Sequence, residues 1–235
     1  MGPRSPEQEL SQAVEDYLKA VYSLGKPGQP VSTAALAERL EVAPASVTGM
    51  LKRLSELGYV DYTPRQGVEL SRKGLEVALE IIRHHRLLEL FFVKRLGMDW
   101  AQAHREAEVL EHFISEELEM LIDKMLDHPE EDPQGAPIPT REGRVRSRRW
   151  MRLAEAEEGA RLVVRRVEHD DPELLRYVEQ LGLVPGTAVR VMSVAPFEGP
   201  ITIEHDGQTL SLGVKVAGAI GVEAAETSKR AEKGG

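Results

Sequence analysis

Hydrophobic residues in the first quarter of the chain recur every three or four positions, the spacing of the buried face of an amphipathic helix. The first such stretch begins at Ser5-Pro6, a cap residue followed by proline, and ends at Gly25. A second runs from Thr33 to Leu40 behind the cap residue Ser32, and a third from Pro44 to about Leu57. The pattern therefore predicts three helices, of which the last two form a helix-turn-helix unit.

The pattern changes after Gly58 to two short strands around the turn Pro64-Arg65-Gln66-Gly67, which predicts a hairpin. A hairpin behind the helix-turn-helix makes the unit winged, and Arg65 at its tip can reach phosphate or the minor groove of DNA. The third helix carries small and polar residues opposite its apolar stripe, as a helix that enters the major groove requires. The candidate DNA contacts are Thr33, Ala45, Ser46, Thr48, Lys52 and Arg65. A helix-turn-helix that contacts only protein is the alternative.

Two longer helices are predicted next, and the first carries a histidine and a glutamate at helical spacing. It begins behind the cap residue Ser71 and ends at Gly97. His85 stands four residues before Glu89, which places both side chains on one face, whereas the neighbouring His84 points about 100° away. His85 and Glu89 are therefore the candidate ligands on this helix.

The second of these helices, predicted to extend towards His128, has a stripe of metal-capable side chains where a packed helix normally has apolar ones. The stripe is about 100° wide and consists of His104, Glu108, Glu111 and His112. Imidazole and carboxylate without thiolate suit Mn²⁺, Fe²⁺, Co²⁺ or Zn²⁺, so the two helices together predict two metal positions. A charged helix face with incidental histidines is the alternative.

The distribution of charge supports a cation site in these helices. The formal net charge is -9, and residues 74–139 account for all of it, with 6 basic and 15 acidic residues. The chain has no cysteine, which excludes disulfides and zinc fingers. It has neither an apolar leader nor an apolar run of about 18 residues, so we expect a cytoplasmic protein with no membrane partner.

The composition after residue 129 predicts a change of architecture. Prolines and glycines concentrated between residues 129 and 143 mark a boundary. Short β-branched runs from about Gly159 to Glu223 predict a small β-barrel, interrupted by one helix with Asp171 near its start. The predicted divisions are 1–73 for the winged DNA-binding domain, 74–140 for a helical metal-binding domain, 141–158 for a linker, 159–225 for the barrel and 226–235 for a disordered tail.

These elements in this order resemble the diphtheria-toxin-repressor family of metal-dependent transcriptional regulators, and in particular its manganese-sensing branch. The resemblance covers nearly the whole chain and rests on the winged helix-turn-helix, on HHRLLE and HREAEVLEH, on the proline-rich DPQGAPIP and on the C-terminal barrel. It implies a mainly α fold with a β-rich C-terminal part, in which residues 74–140 also mediate dimerisation and the barrel is SH3-like. It further implies a metal-bound homodimer that binds palindromic double-stranded DNA operators and controls genes of metal-ion uptake or efflux.

The resemblance also implies ligands for two sites. The primary site would consist of Asp16, Glu108, Glu111 and His112, and the ancillary site of His85, Glu89, His104 and Asp171. Asp16 and Glu108 stand where the iron-responsive branch has methionine and cysteine, so their oxygens favour Mn²⁺, with Fe²⁺ second and Zn²⁺, Co²⁺ or Cd²⁺ as substitutes in vitro. Lys19 stands where compact manganese sensors have an acid of a binuclear site, so a two-metal arrangement of the ancillary kind is expected.

Two rival functions are compatible with the residues. Glu108-x-x-Glu111-His112 is one residue from the H-x-x-E-H pattern of inverted zincins, which hydrolyse with zinc. The first histidine of that pattern is missing, and a ligand from the first helix would close the open coordination position, so we expect no enzyme. The other rival is a metal-independent DNA-binding regulator with a structural acidic cluster, which predicts equal operator affinity in chelator and in metal.

Overall fold

The computed structural model describes residues 10–25, 28–146, 148–168 and 171–225. The chain divides into two compact units. The first consists of Met1–Phe91, Arg105–Glu130 and Ile138–Arg146, and the second of Phe92–His104, Glu131–Pro137 and Ser147–Gly235. Ser5-Pro6 and the predicted disordered tail at 226–235 lie outside the described residues. The predicted start of the first helix was wrong, because the described Leu10 and Ser11 are not helical and the helix begins at Gln12.

The first unit begins with the three predicted helices and the wing. Their bounds are Gln12–Leu24 for α1, Thr33–Arg39 for α2, Pro44–Glu56 for α3, Val60–Thr63 for β1 and Gly67–Leu70 for β2. α2 begins where predicted because the Ser32 side chain accepts a hydrogen bond from the Ala35 amide. β1 and β2 pair antiparallel, with Val60 opposite Leu70. The winged helix-turn-helix is therefore confirmed.

One apolar core joins α1 to the helix-turn-helix and the wing. Leu18 of α1, Leu36 of α2, Leu51 of α3 and Val68 of β2 are completely buried in it. Protein interiors are close-packed, so a displacement of one of these side chains also displaces its neighbours. α1 therefore shares one packed core with the DNA-binding part of the unit, and Val77 and Ala78 of the next helix complete that core.

The helices after the wing differ from the prediction at one point. α4 spans Arg72–Phe91 and continues as a π-helical turn over Phe92–Leu96. The single helix predicted towards His128 is two helices, α5 at Trp100–Leu110 and α6 at Glu116–Met125. That prediction was wrong because Ser115 starts a new helix: its side chain accepts a hydrogen bond from the Leu118 amide, and acidic residues fill the first turn.

A buried ionic network joins α4 to α6. Arg83 Nε donates to Glu119 Oε1 at 2.6 Å, and Arg83 Nη2 lies 3.2 Å from Asp123 Oδ1. Arg83 Nη1 donates to the Pro139 carbonyl at 2.9 Å. Burial alone raises the pKa of Glu119, but its contact with the His84 ring, together with the hydrogen bond from Arg83 and the charge of Arg83, lowers it to about 2. The network therefore fixes α6 and the loop after it onto α4.

We expect Glu119→Gln to lower the free energy of unfolding near neutral pH. This difference from wild type should become smaller as the pH falls. Because its pKa is depressed, the Glu119 carboxylate stabilises the fold above its ordinary pKa of 4.5, and this contribution of about 3 kcal/mol is lost as the pH falls towards 2. Urea unfolding of wild type and variant at about pH 6 and pH 3 measures the difference. Glu117→Gln, at an exposed position of the same helix, is the control. A pH-independent difference would contradict the expectation.

The second unit contains a six-stranded antiparallel sheet in the order β3-β8-β4-β5-β6-β7. The strands are Met151–Arg152 for β3, Arg161–Val167 for β4, Ala188–Val194 for β5, Ile201–His205 for β6, Gln208–Leu212 for β7 and Ile220–Ala224 for β8. α7 (Pro172–Gln180) is the predicted interruption after β4, while β3 lies within the stretch predicted as a linker.

One stretch of this unit predicted as strand is a helix, α8, at Val214–Ala219. Gly213 ends β7, and its carbonyl accepts a hydrogen bond from the Ala217 amide, which closes a helical turn. Ala217 and Ala219 are small enough to pack that turn into the core. Among the described residues of either unit, no helix is both long enough and apolar enough to cross a membrane.

Candidate metal centre and DNA-binding surface

Three of the four predicted primary ligands converge in the first unit. Asp16 comes from α1, and Glu111 and His112 come from the turn that ends α5. His112 Nε2 lies 3.1 Å from Asp16 Oδ1 and 3.6 Å from Glu111 Oε1. One ligand atom from each residue lies within 4.8 Å of the others. Two carboxylates and an imidazole at this spacing fit the coordination shell of a divalent ion.

Glu15, which the sequence did not identify, orients His112. Its Oε2 lies 2.8 Å from His112 Nδ1, and Glu15 is only 6% exposed. A carboxylate on one ring nitrogen leaves the other to face the site, as is common for metal-ligating histidines. The hydrogen bonds to Asp16 and Glu15, opposed by burial, raise the pKa of His112 to about 10. The position of Glu15, three residues before Leu18 of the apolar stripe, is the signal that could have found it.

Glu108, the fourth predicted primary ligand, points at an ammonium group. Lys19 Nζ lies 2.8 Å from Glu108 Oε1 and 2.8 Å from each carboxylate oxygen of Glu111, with His85 Nδ1 at 3.4 Å. Burial alone lowers the pKa of Lys19, but the charges of Glu111 and Glu108 raise it above its ordinary value. A positive charge of the protein itself therefore stands among three metal-capable side chains.

His85 and Glu89 of α4 are buried and adjacent, as their spacing predicts. His85 Nε2 lies 3.2 Å from Glu89 Oε1, and His85 Nδ1 lies 2.6 Å from Glu111 Oε2. Burial alone lowers the pKa of His85, but the charge of Glu89 and the hydrogen bond with Glu111 raise it to about 9, although Lys19 opposes them. Glu111, which has no exposed surface, therefore contacts residues of both predicted sites.

The other two predicted ancillary ligands, His104 and Asp171, belong to the second unit. His104 lies on α5, and Asp171 is the N-cap of α7. Asp171 Oδ1 accepts a hydrogen bond from the Glu173 amide at 3.0 Å, and Oδ2 lies 3.5 Å from Lys215 Nζ. The Glu173 hydrogen bond in particular lowers the pKa of Asp171. The part of both residues in an ancillary site stays a prediction.

The predicted DNA contacts lie on α2, α3 and the wing. Ala45, Ser46, Lys52 and Arg65 are exposed, and Thr33 and Thr48 are half-buried. The Thr48 hydroxyl donates to the Pro44 carbonyl at 3.0 Å. Arg65 occupies the turn of the wing in the left-handed conformation, with φ at 69°. On α3 these positions face away from the buried Val47 and Leu51, as the apolar stripe predicts.

Comparison with known families assigns each part of the chain. Residues 9–68 match the model described as the iron dependent repressor N-terminal DNA binding domain, and residues 71–140 match the iron dependent repressor metal binding and dimerisation domain. Residues 151–224 match the FeoA domain, which confirms the predicted SH3-like architecture. The order of the three domains is the predicted one.

Individual relatives cover almost the whole chain. The iron-dependent repressor IdeR of Mycobacterium leprae is 31% identical over 227 residues, which span 92% of this chain and 98% of that protein. A solved manganese-dependent transcriptional repressor in complex with manganese has a TM-score of 0.82 and 37% identity, over 90% of this chain and 100% of that one. ScaR with bound Cd²⁺ has a TM-score of 0.77 and 34% identity, over 90% and 99%. The chain belongs to the diphtheria-toxin-repressor family of metal-dependent transcriptional repressors.

Proposed function

We propose that the chain is a repressor activated by Mn²⁺, and the observation that carries this is the convergence of Asp16, Glu111 and His112. Carboxylate oxygens and one imidazole, in a chain without cysteine, favour Mn²⁺ over softer ions. Fe²⁺ is the second candidate ion. The relatives support both, since one solved structure is named as a complex with manganese and IdeR is named as iron-dependent.

Asp16, Glu108, Glu111 and His112 would hold the ion. Glu108 lines the same cleft as Asp16 and His112, and in this proposal its side chain would turn from Lys19 towards the ion. A divalent cation supplies positive charge to carboxylates that otherwise repel one another. Glu15 contributes by keeping His112 Nε2 directed at Asp16.

Metal binding would act on DNA binding through α1. Asp16 lies on this helix, which shares its core with the helix-turn-helix, whereas Glu111 and His112 follow α5. Ligation by residues of both elements would hold α1, and with it α3 and the wing, relative to the end of α5. Ser46, Thr48 and Lys52 would then meet the major groove and its phosphates, with Thr33 and Arg65 on the DNA backbone. By linkage, DNA and metal must strengthen each other's binding.

An exposed apolar face at the end of α5 and on α6 is the proposed homodimer interface. Its members are Val109, Leu110, Phe113, Leu118, Leu121 and Met125, of which Phe113 is 68% and Leu121 56% exposed. Apolar surface of this extent commonly marks protein interfaces. A dimer with two recognition helices in successive major grooves, about 34 Å apart, requires a palindromic operator.

We expect Phe113→Lys and Leu121→Lys to weaken dimerisation by about 30-fold or more, because each places a charge at a central apolar position of this face. Sedimentation velocity over a range of protein concentrations measures the dimer dissociation constant. Phe197→Lys is the matched control, since Phe197 is fully exposed in the turn between β5 and β6 of the second unit. A dimer dissociation constant unchanged in both Phe113→Lys and Leu121→Lys would place the interface elsewhere.

The proposed function is tested by fluorescence anisotropy with promoter fragments of the host's metal-transporter genes. Binding is measured in EDTA and then with Mn²⁺, Fe²⁺ or Zn²⁺ at one fixed salt concentration, because phosphate contacts make affinity depend steeply on salt. We expect tight binding only with metal, and tightest with Mn²⁺. Equal affinity for the promoter fragments in EDTA and in metal would show that the acidic cluster has only a structural role.

We further propose an ancillary site at His85 and Glu89, with His104 and Asp171 as its remaining ligands.

We also propose that the protein acts in the cytoplasm as a regulator and has no catalytic activity. The position of Asp16 beside His112 supports this, because a ligand from α1 would occupy a position that a metallohydrolase keeps open for water. Metal-dependent hydrolysis that is abolished by Glu111→Gln would contradict it.

A further inference from the structure

We infer that His84 positions the two metal ligands Glu111 and His112, an inference that rests on the proposed function. His84 lies on α4 and is only 6% exposed. Its Nδ1 lies 3.1 Å from the backbone carbonyl oxygen of Glu111. A carbonyl oxygen only accepts hydrogen bonds, so Nδ1 carries the proton and donates it.

The carbonyl that His84 holds belongs to the peptide unit between Glu111 and His112. This unit is planar, so fixing its oxygen constrains the backbone directions from which both ligand side chains depart. α5 ends at Leu110, and the last carbonyls of a helix lack partners within the helix. His84 therefore satisfies a helix-end carbonyl at the peptide whose orientation sets two ligands at once.

The other ring nitrogen of His84 faces α6. His84 Nε2 lies 3.5 Å from Glu119 Oε2, and Glu119 is held in turn by Arg83 at 2.6 Å. All three side chains are buried. Nε2 is buried beside Glu119 and has no hydrogen bond of its own among the described residues, so the bond from Nδ1 to the Glu111 carbonyl is the one that rotation of the ring would break, and losing a buried hydrogen bond is costly. The ring thus lies between the ligand-bearing peptide and the helix that carries Leu118 and Leu121 of the proposed dimer face.

Substitution of His84 by asparagine or by glutamine tests the two contacts of the ring separately. The asparagine amide ends near the position of Nδ1, whereas the glutamine amide reaches towards Nε2. His84→Asn is therefore expected to keep the hydrogen bond to the Glu111 carbonyl, while His84→Gln and His84→Leu lose it. His128→Leu is the control, because His128 is a histidine after α6 whose side chain is 72% exposed.

The readout is Mn²⁺ affinity without DNA, measured by electron paramagnetic resonance of the free ion, beside thermal unfolding in EDTA. We expect His84→Leu and His84→Gln to bind Mn²⁺ about 10- to 100-fold more weakly than wild type, the usual cost of losing a group that orients a ligand. His84→Asn and His128→Leu should bind like wild type. If His84 only stabilised the fold, its variants would unfold at a lower temperature, but their Mn²⁺ affinities would not follow this order.

Equal Mn²⁺ affinity in wild type and His84→Leu would overturn the inference, and so would equal losses in His84→Asn and His84→Leu. In both cases the wild-type protein still binds Mn²⁺, and the proposed function stands. A wild-type protein that binds no Mn²⁺ would instead overturn the proposed function itself.

Discussion

The Asp16→Ala variant is expected to remain folded and dimeric and to lose its DNA-binding response to Mn²⁺. Asp16 is the proposed ligand from α1, so its removal would separate the ion from that helix even if Glu111 and His112 still hold it. Its side chain is 42% exposed, and its loss therefore costs little stability. Groups that only orient ligands already contribute about 10- to 100-fold to metal affinity, and a direct ligand contributes at least that much.

Operator anisotropy at a fixed Mn²⁺ concentration and the Mn²⁺ dissociation constant together measure the effect of Asp16→Ala. Asp61→Ala provides the control, because Asp61 is an exposed acid of β1 in the same unit. It should respond to Mn²⁺ like wild type. A full Mn²⁺ response in Asp16→Ala would remove this residue from the primary site and the proposed route through α1 with it.

The Lys19→Met variant is expected to be destabilised by about 3–5 kcal/mol in EDTA, the usual cost of removing one partner of a buried ion pair. The Lys19 side chain is 13% exposed and its ammonium contacts Glu108 and the fully buried Glu111. Without it these carboxylates face each other with no intervening lysine charge. Mn²⁺ should restore part of the lost stability, because a bound cation stabilises the folded state that binds it.

Urea unfolding in EDTA and in Mn²⁺ measures both effects of Lys19→Met. Lys19→Arg keeps a positive charge at this position and should lose less stability in EDTA. Lys52→Met is the control for the loss of one lysine, since Lys52 is exposed on α3. Wild-type stability of Lys19→Met in EDTA would show that the ammonium does not neutralise the cluster.

Helix geometry explains which parts of the candidate site the sequence could predict. Glu108 shares a face with Glu111 and with His112 because residues three and four positions apart on a helix do so, and that required no knowledge of the fold. The partner of His112 depends on how α1 is turned about its own axis. Adjacent acids at positions 15 and 16 differ by about 100° in direction, and the buried one proved to orient the ring while the other faces it.

Sequence spacing does not predict the direction in which a long side chain points. Glu108 belongs to the predicted stripe, yet its carboxylate turns to Lys19, because an ammonium buried beside it outweighs a more distant partner. The resemblance identified the position of Lys19, but not that its nitrogen would contact both Glu108 and Glu111.

The fold was predicted best where a cap residue marks a boundary. Ser32 and Ser71 begin their helices as expected, because their side chains accept hydrogen bonds from the amides three residues on. Ser115 has the same chemistry, but the apolar residues around it continue the helical period, and the break between α5 and α6 was missed. α8 was missed because β-branched valines in a run of small residues favour strand locally, whereas packing of the alanines decided the outcome.

Glu111 contacts His112 on one side and His85 with Lys19 on the other. The two proposed cation positions would therefore be linked through this carboxylate. An ancillary ion would be held by His85 Nε2, the nitrogen that faces Glu89, while Nδ1 stays on Glu111, so filling one position would change the affinity of the other. The metal concentration at which the repressor responds would then depend on the occupancy of both positions.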